Sequence, residues 1–381
     1  MGAPIVVKVG AAYQQPKSRL MGLPQELRLM IYAFLFSSTR FTSGERCGWD
    51  MVIRHFIPAP HGLAILISCR QAYIEIGRSW IGRVLFCFET VKAMVDKLAD
   101  IPLETRSMIR HIRVSGHPMT FHYSEGLVQY DTYQVLKLLS GLKLDRLTVC
   151  GTGEAQSSYD SLNCLVKYSD GWKELHYKSH TSGFIGYKVA WLDELDELIG
   201  ENRFLREPQP GGWQRTLEDR DGSNSGASVT IYRSNIPYLD VTEPYISNKG
   251  TWTKFTQELA PDQDIEEYQD EEDARLMADG EIEKEMLVVV KRGRGVDYEE
   301  KQGSPYLEQG DIREELPGKT WAEIKASEDI VQEISCERVR YMGGDDIYQE
   351  THVDLVDDYT HVDDYVWPVT HAFRYSSDSY E

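Results

Sequence analysis

The residues whose types and spacing could do chemistry fall into a few short stretches. Gly222-Ser-Asn-Ser-Gly226 has the glycine spacing of a nucleophile elbow, a strained turn that exposes a serine hydroxyl. Asn224 occupies the nucleophile position, so the stretch reads as a connecting loop. Asp219-Arg-Asp-Gly222 echoes the start of a calcium loop but lacks the bidentate acid. Gly293-Arg-Gly295 follows an apolar run, as a dinucleotide fingerprint would, yet Tyr298 stands where the third glycine belongs. Pro317-Gly-Lys-Thr320 ends like a phosphate-binding loop, with Arg313 in place of its first glycine. His176 and His180 have zinc-finger spacing, with Cys150 and Cys164 upstream. Their context reads as strand then loop, which would not put both rings on one helix face. His352, His361 and His371, beside Asp354 and Asp363, read as part of a solvated tail, and Lys291-Arg292-Gly-Arg294 as local charge balance. No nucleophile, base and oxyanion donor assemble from these stretches. The expectation is therefore binding without catalysis, cofactor or metal. An enzyme would need a pocket gathering His111, His117, Asp219 or Asp221.

Charge sets the wider context. The 381 residues carry 41 Lys+Arg against 61 Asp+Glu, a net of −20. Residues 241–381 hold 36 acids and 14 bases, a net of −22, which leaves +2 for residues 1–240. A negative chain is repelled by phosphate, so no nucleic-acid partner is expected. Six scattered cysteines, with no Cys-x-x-Cys pair, fit reduced thiols in an intracellular protein. The N-terminus lacks a signal-peptide pattern, and apolar stretches such as Gly62–Ile67 are far short of the roughly 20 residues that span a bilayer. A cytoplasmic or nuclear address without membrane contact follows as the expectation.

The elements that must position any binding site begin at Leu20–Phe36. Pro24 suits a first helical turn, and Leu27, Ile31 and Leu35 recur at i, i+4 and i+8, with Met30 and Phe34 adjoining. Core packing is the plain account of that wide apolar face. Thr39–Pro60 reads as an irregular excursion, Leu63–Arg78 as a helix, Val84–Phe88 as a strand and Val91–Ala99 as an amphipathic helix. A rhythm follows. The β-type runs Ile109–Val114, Leu144–Val149 and Trp172–Tyr177 alternate with helical patterns at Tyr130–Leu139 and Tyr159–Tyr168. This predicts a parallel sheet built by successive crossovers, a degenerate leucine-rich-repeat-like βα layer. Helices at Val189–Arg206 and Trp213–Arg220 and a strand at Ala227–Tyr232 complete it.

The fold class is thus mixed α+β. Its expected parts are a flexible N-terminus (1–19), a helical region (20–100) with an insertion at about 37–62, the βα layer (101–240) and an acidic, largely disordered tail (241–381). Within that tail Met286–Val290 reads as an isolated β-rich island and Trp321–Val339 as a transient helix.

Leu23-Pro-Gln-Glu-Leu-Arg-Leu-Met-Ile-Tyr-Ala-Phe-Leu35 resembles the opening helix of an F-box, matching at Leu23, Pro24, Glu26, Leu27, Ile31 and Leu35. Ser68-Cys-Arg-Gln-Ala-Tyr73 resembles the second F-box signature. Together with the Ile109–Val114 run, these are similar to a large group of fungal F-box-like proteins, loosely over residues 20–235. The resemblance implies a Skp1-like adaptor docking on Leu23, Pro24, Leu27, Ile31 and Leu35, and a protein substrate on the βα layer. The chain would then act as a substrate-recognition subunit of a cullin–RING ubiquitin ligase and supply proximity alone. Leu23 and Pro24 are the foremost contact candidates, because a helix start projects outward with unpaired N–H groups. The 27-residue insertion after Leu35 favours the alternative of a stand-alone interaction scaffold.

Overall fold

Period-two apolar spacing builds one large sheet from distant parts of the chain. A computed structural model describes residues 18–326, except 44–45, 48–51, 54–62, 124–125, 152–154, 180, 188–205, 238–251, 261–262, 309 and 316. The strands are β1 (Arg40–Ser43), β2 (Arg46–Cys47), β3 (Val52–Ile53), β4 (Leu85–Phe88), β5 (His111–Ser115) and β6 (Met119–Tyr123). They continue with β7 (Gly126–Tyr130), β8 (Leu144–Cys150), β9 (Trp172–Ser179), β10 (Ser228–Pro237), β11 (Trp252–Phe255) and β12 (Lys284–Lys291). Eight of them form a single sheet in the order β1-β4-β5-β8-β9-β12-β10-β11. From β1 to β9 every pairing is parallel; β12, β10 and β11 then pair antiparallel. The β2–β3 and β6–β7 pairs are separate hairpin-type ribbons.

Alternation assigns the two faces. Ile112, Leu147, Leu175 and Val290 share one cross-strand row, and Val114, Val149, Tyr177 and Val288 another. These residues are buried in the main core. Helices cover them, as crossover connections require. Helix α1 spans Gln25–Ser37, α2 Ala64–Ser68, α3 Arg70–Ile76 and α4 Val91–Leu98. In α4, Val91, Met94, Val95 and Leu98 form the buried stripe, and Thr90 caps the start by accepting from the Ala93 N–H at 3.0 Å. The short helices α5 (Leu103–Arg106) and α6 (Thr132–Val135) precede α7 (Ala155–Tyr168), which buries Leu162, Leu165 and Val166. Helix α8 (Gly211–Asp221) follows, with Trp213 and Leu217 buried. A smaller cluster of Tyr32, Phe36, Ala72, Ile76 and Val84 joins α1 and α3 to the end of the sheet.

The structure departs from the sequence reading in four places. The division at residue 240 is corrected most. Within the acidic region α9 (Ile265–Met277), β12, α10 (Ile312–Glu315) and α11 (Trp321–Ala326) are all folded parts of the molecule. Met286–Val290 is no island, since β12 lies between β9 and β10 in the middle of the sheet. Paired on both edges, with Met286, Val288 and Val290 buried, the strand reads as a continuous apolar run whose partners are remote in sequence. Second, Arg40–Ser43 leaves the expected irregular excursion to become the edge strand beside β4. Third, the helix expected over Leu63–Arg78 breaks at Cys69, whose φ of −143° and ψ of 116° are extended. Fourth, Pro24 precedes helix α1 as its cap residue rather than opening its first turn. The tail from 327 on, the 1–17 segment and most of the Val189–Arg206 helix lie outside the described residues. No helix among the described residues is long and apolar enough to cross a membrane.

Candidate functional site

Helix α1 carries two stripes of opposite fate. Arg28, Tyr32 and Phe36, at i, i+4 and i+8, turn inward. Leu27, Met30, Ile31 and Phe34, at i, i+3, i+4 and i+7, turn outward and are 46%, 57%, 40% and 72% exposed. Of the five expected contact residues, Pro24, Leu27 and Ile31 are exposed, while Leu23 and Leu35 are half-buried. Core packing of Leu27 and Ile31 is therefore overturned. A less apolar stripe is buried instead because its polar ends find partners.

Those partners centre on Glu75 of α3. The Arg28 guanidinium donates from Nε to Glu75 Oε2 at 2.9 Å and from a terminal nitrogen to Oε1. Gln71 Nε2 donates to Glu75 Oε1 at 2.9 Å and the Tyr32 hydroxyl to Oε2 at 3.4 Å. Arg28 also donates to the carbonyls of Met21 and Leu23, which fixes the chain entering α1. The Arg28 hydrogen bond, against the opposing effect of burial, lowers the Glu75 carboxyl below its ordinary range. Around this anchor Ile67 of α2 and Tyr73 and Ile74 of α3 are also exposed, at 91%, 59% and 54%.

A second candidate surface is the polar face of the sheet, opposite the helices of the main core. Register places His111, Arg146, Glu174 and Lys291 in one row across β5, β8, β9 and β12. Thr148, His176 and Val289 form the next. One carboxylate oxygen, Glu174 Oε1, meets three basic groups: His176 Nε2 at 2.8 Å, Arg146 at 3.7 Å and Lys291 Nζ at 3.7 Å. Burial opposes the Glu174 charge, but the His176 hydrogen bond and the charges of His176, Arg146 and Lys291 outweigh it and hold the carboxyl at about 2. Burial lowers His176, helped by Arg146 and Lys291, and Glu174 only partly offsets this. His176 is thus a neutral hydrogen-bonding partner at neutral pH.

Two clefts lie on the helical side. The larger, about 480 Å³, is lined by Tyr159, Asp160, Arg206, Gln209 and Trp213 among others. Arg206 stacks over the Tyr159 ring at 4.0 Å and donates to the Gly186 carbonyl at 2.6 Å, while Gln209 Nε2 donates to the Tyr159 hydroxyl at 3.1 Å. These polar groups are spent on one another. The smaller, about 370 Å³, contains Cys164. Burial pushes its thiol up to about 11, away from the thiolate form that reacts.

The remaining sequence candidates are dispersed. Asp221 accepts from Arg292 Nε at 2.9 Å and from the Gly293 N–H at 2.8 Å, so it is engaged far along the chain from His111 in β5. A Cβ on Gly293 would meet Ser225 Cβ at 2.3 Å, and close packing of two loops accounts for that glycine without a phosphate. His180 and the three tail histidines lie outside the described residues. Among the described residues there is no group of three or more His, Cys, Asp or Glu placed to hold a metal ion. Sequence reasoning missed the Arg146–Glu174–Lys291 row. The alternation Glu174-x-His176 was visible, but Lys291 reaches them only through the remote pairing of β12. Comparison with family models, curated proteins and solved structures finds no match to this chain.

Proposed function

We propose that this chain is a protein-interaction module, a substrate-recognition subunit of an SCF-type ubiquitin ligase. In this reading α1 docks a Skp1-like adaptor and the βα layer, a degenerate leucine-rich-repeat-like surface, takes a protein substrate. One observation carries it: Leu27 and Ile31, two of the positions where α1 resembles an F-box, form with Met30 and Phe34 an outward apolar stripe on a helix that is anchored from behind. Burying one large apolar side chain stabilises a complex by about 1.5–3 kcal/mol. Four such side chains can therefore offset much of the cost of association. The Arg28–Glu75 anchor spares most of the ordering cost, since the stripe is already presented.

Copurification with a Skp1-like protein tests this directly. The native chain should bind, and Ile31→Glu/Phe34→Glu should weaken binding at least tenfold while leaving the circular dichroism spectrum unchanged. Failure of the native chain to bind would remove the adaptor. Binding that survives the double change would remove this face. A stand-alone scaffold with no ubiquitin link is the second reading. It is favoured by β1, which draws the chain straight after α1 into the main sheet and leaves no separable helical box.

A further inference from the structure

We propose that the polar face of the sheet binds an acidic, extended segment of a partner protein, received by Arg146 and Lys291. The inference deepens the reading of the βα layer as a recognition surface, but it does not depend on the adaptor.

The geometry around Glu174 points to this ligand. Its Oε1 accepts one real hydrogen bond, from His176 at 2.8 Å. Arg146 and Lys291 each stand 3.7 Å from the same oxygen, close enough for charge attraction and too far for a hydrogen bond. The Arg146 Nε has no hydrogen-bond partner, although it is buried. A guanidinium carries five N–H donors in a fork that matches a carboxylate, so most of the donor capacity here is unspent. Lys291 is 57% exposed at its side chain and Arg146 17%, which makes the first an outer contact and the second a deeper one. The neighbouring cation on this face, Lys178, is already paired with Glu285 at 3.4 Å. The local balance is therefore two positive charges against one carboxylate, a net of +1, within a chain whose net charge is −20.

Spacing selects the form of the ligand. Arg146 and Lys291 lie on strands separated by β9, but their charged ends both stand 3.7 Å from the same Glu174 oxygen and so are at most about 7 Å apart. Two acidic residues at i and i+2 of an extended chain span about 7 Å and project from the same side. A carboxylate pair so spaced could meet both cations at once and leave Glu174 between them on His176. A polyphosphate backbone fits less well, because Glu174 and the overall acidity repel a dense run of charge.

The test is fluorescence anisotropy on the full chain at about 150 mM salt. The probe is a labelled decapeptide with two glutamates separated by one residue; its counterparts carry glutamine or lysine at those positions. The glutamate peptide should bind and the other two should not. Arg146→Gln/Lys291→Gln should weaken binding at least tenfold, whereas Lys97→Gln/Lys319→Gln, with the same change in net charge, should leave it unaltered. Lys291→Gln alone, at an exposed position, should give a partial loss and guards against misfolding of the double variant. No binding by the native chain, or equal losses in both double variants, would overturn the proposal. So would tighter binding of an oligouridylate of similar length. Adaptor binding should be unaffected by Arg146→Gln/Lys291→Gln, so the two readings can fail separately.

Discussion

At the residue scale, burial and partner choice decide what each charged group does. Arg28 is buried on α1 because Glu75 satisfies its guanidinium, and that exchange frees Leu27 and Ile31 to face outward. Asp221 and Arg292 make the comparable lock between the end of α8 and the end of β12, with side chains 0% and 3% exposed. His176 has a measurable signature. Its pKa is lowered in the folded chain, below the unfolded value of about 6.5. Between those two values the unfolded chain binds the extra proton, so stability rises with pH through that window. Its contribution is complete above about pH 6.5 and is lost as pH falls toward the folded pKa. Urea midpoints measured from pH 7.5 to 5 should therefore fall further, or rise less, in the native chain than in His176→Gln. An identical slope in both proteins would refute the assignment. Glu174, held at about 2, stays charged throughout that range.

Among the elements, β12 is the one on which the architecture turns. It pairs with β9 on one side and β10 on the other, and Met286, Val288 and Val290 are fully buried. An aspartate at position 288 would bring an unpaired charge into that core. Val288→Asp should cost about 4 kcal/mol or more, read as a lost or strongly shifted urea transition. A loss below about 1 kcal/mol would mean that β12 is peripheral. Helices α4 and α7 and strands β5, β8 and β9 were legible in the sequence because their periodicity is local and their turns are short. The apolar run at 286–290 was legible too, but its place was not, since its partners Ile231 and Tyr177 lie 57 and 111 residues from Val288. Helix α1 shows the converse limit. Its existence followed from spacing, yet the more apolar stripe was assigned to the core, and only the Glu75 contact reveals that the other stripe is buried.

For the whole molecule, the boundary between folded and acidic parts moves. Composition places the division near 240, whereas the sheet and its helices continue to Ala326. Limited proteolysis should accordingly yield a resistant assembly that includes residues 252–300. A cut between 238 and 251 should leave two pieces that co-elute on size exclusion, held by the β10–β12 pairing. A resistant core lacking everything after residue 260 would contradict the inserted strand. The −20 charge says little about where binding occurs, because the Arg146–Lys291 pair is a local basic site within an acidic chain. By itself the sequence determined the mixed fold class, the succession of parallel strands with helices between them, and the opening helix with its two candidate faces. These depend on side-chain period and turn chemistry within a few residues. Tertiary structure alone decided which face of α1 is presented, how the acidic third supplies a central strand, and which charges meet at Glu174. Each of these is a contact between distant segments, selected by burial and pairing that no local pattern encodes.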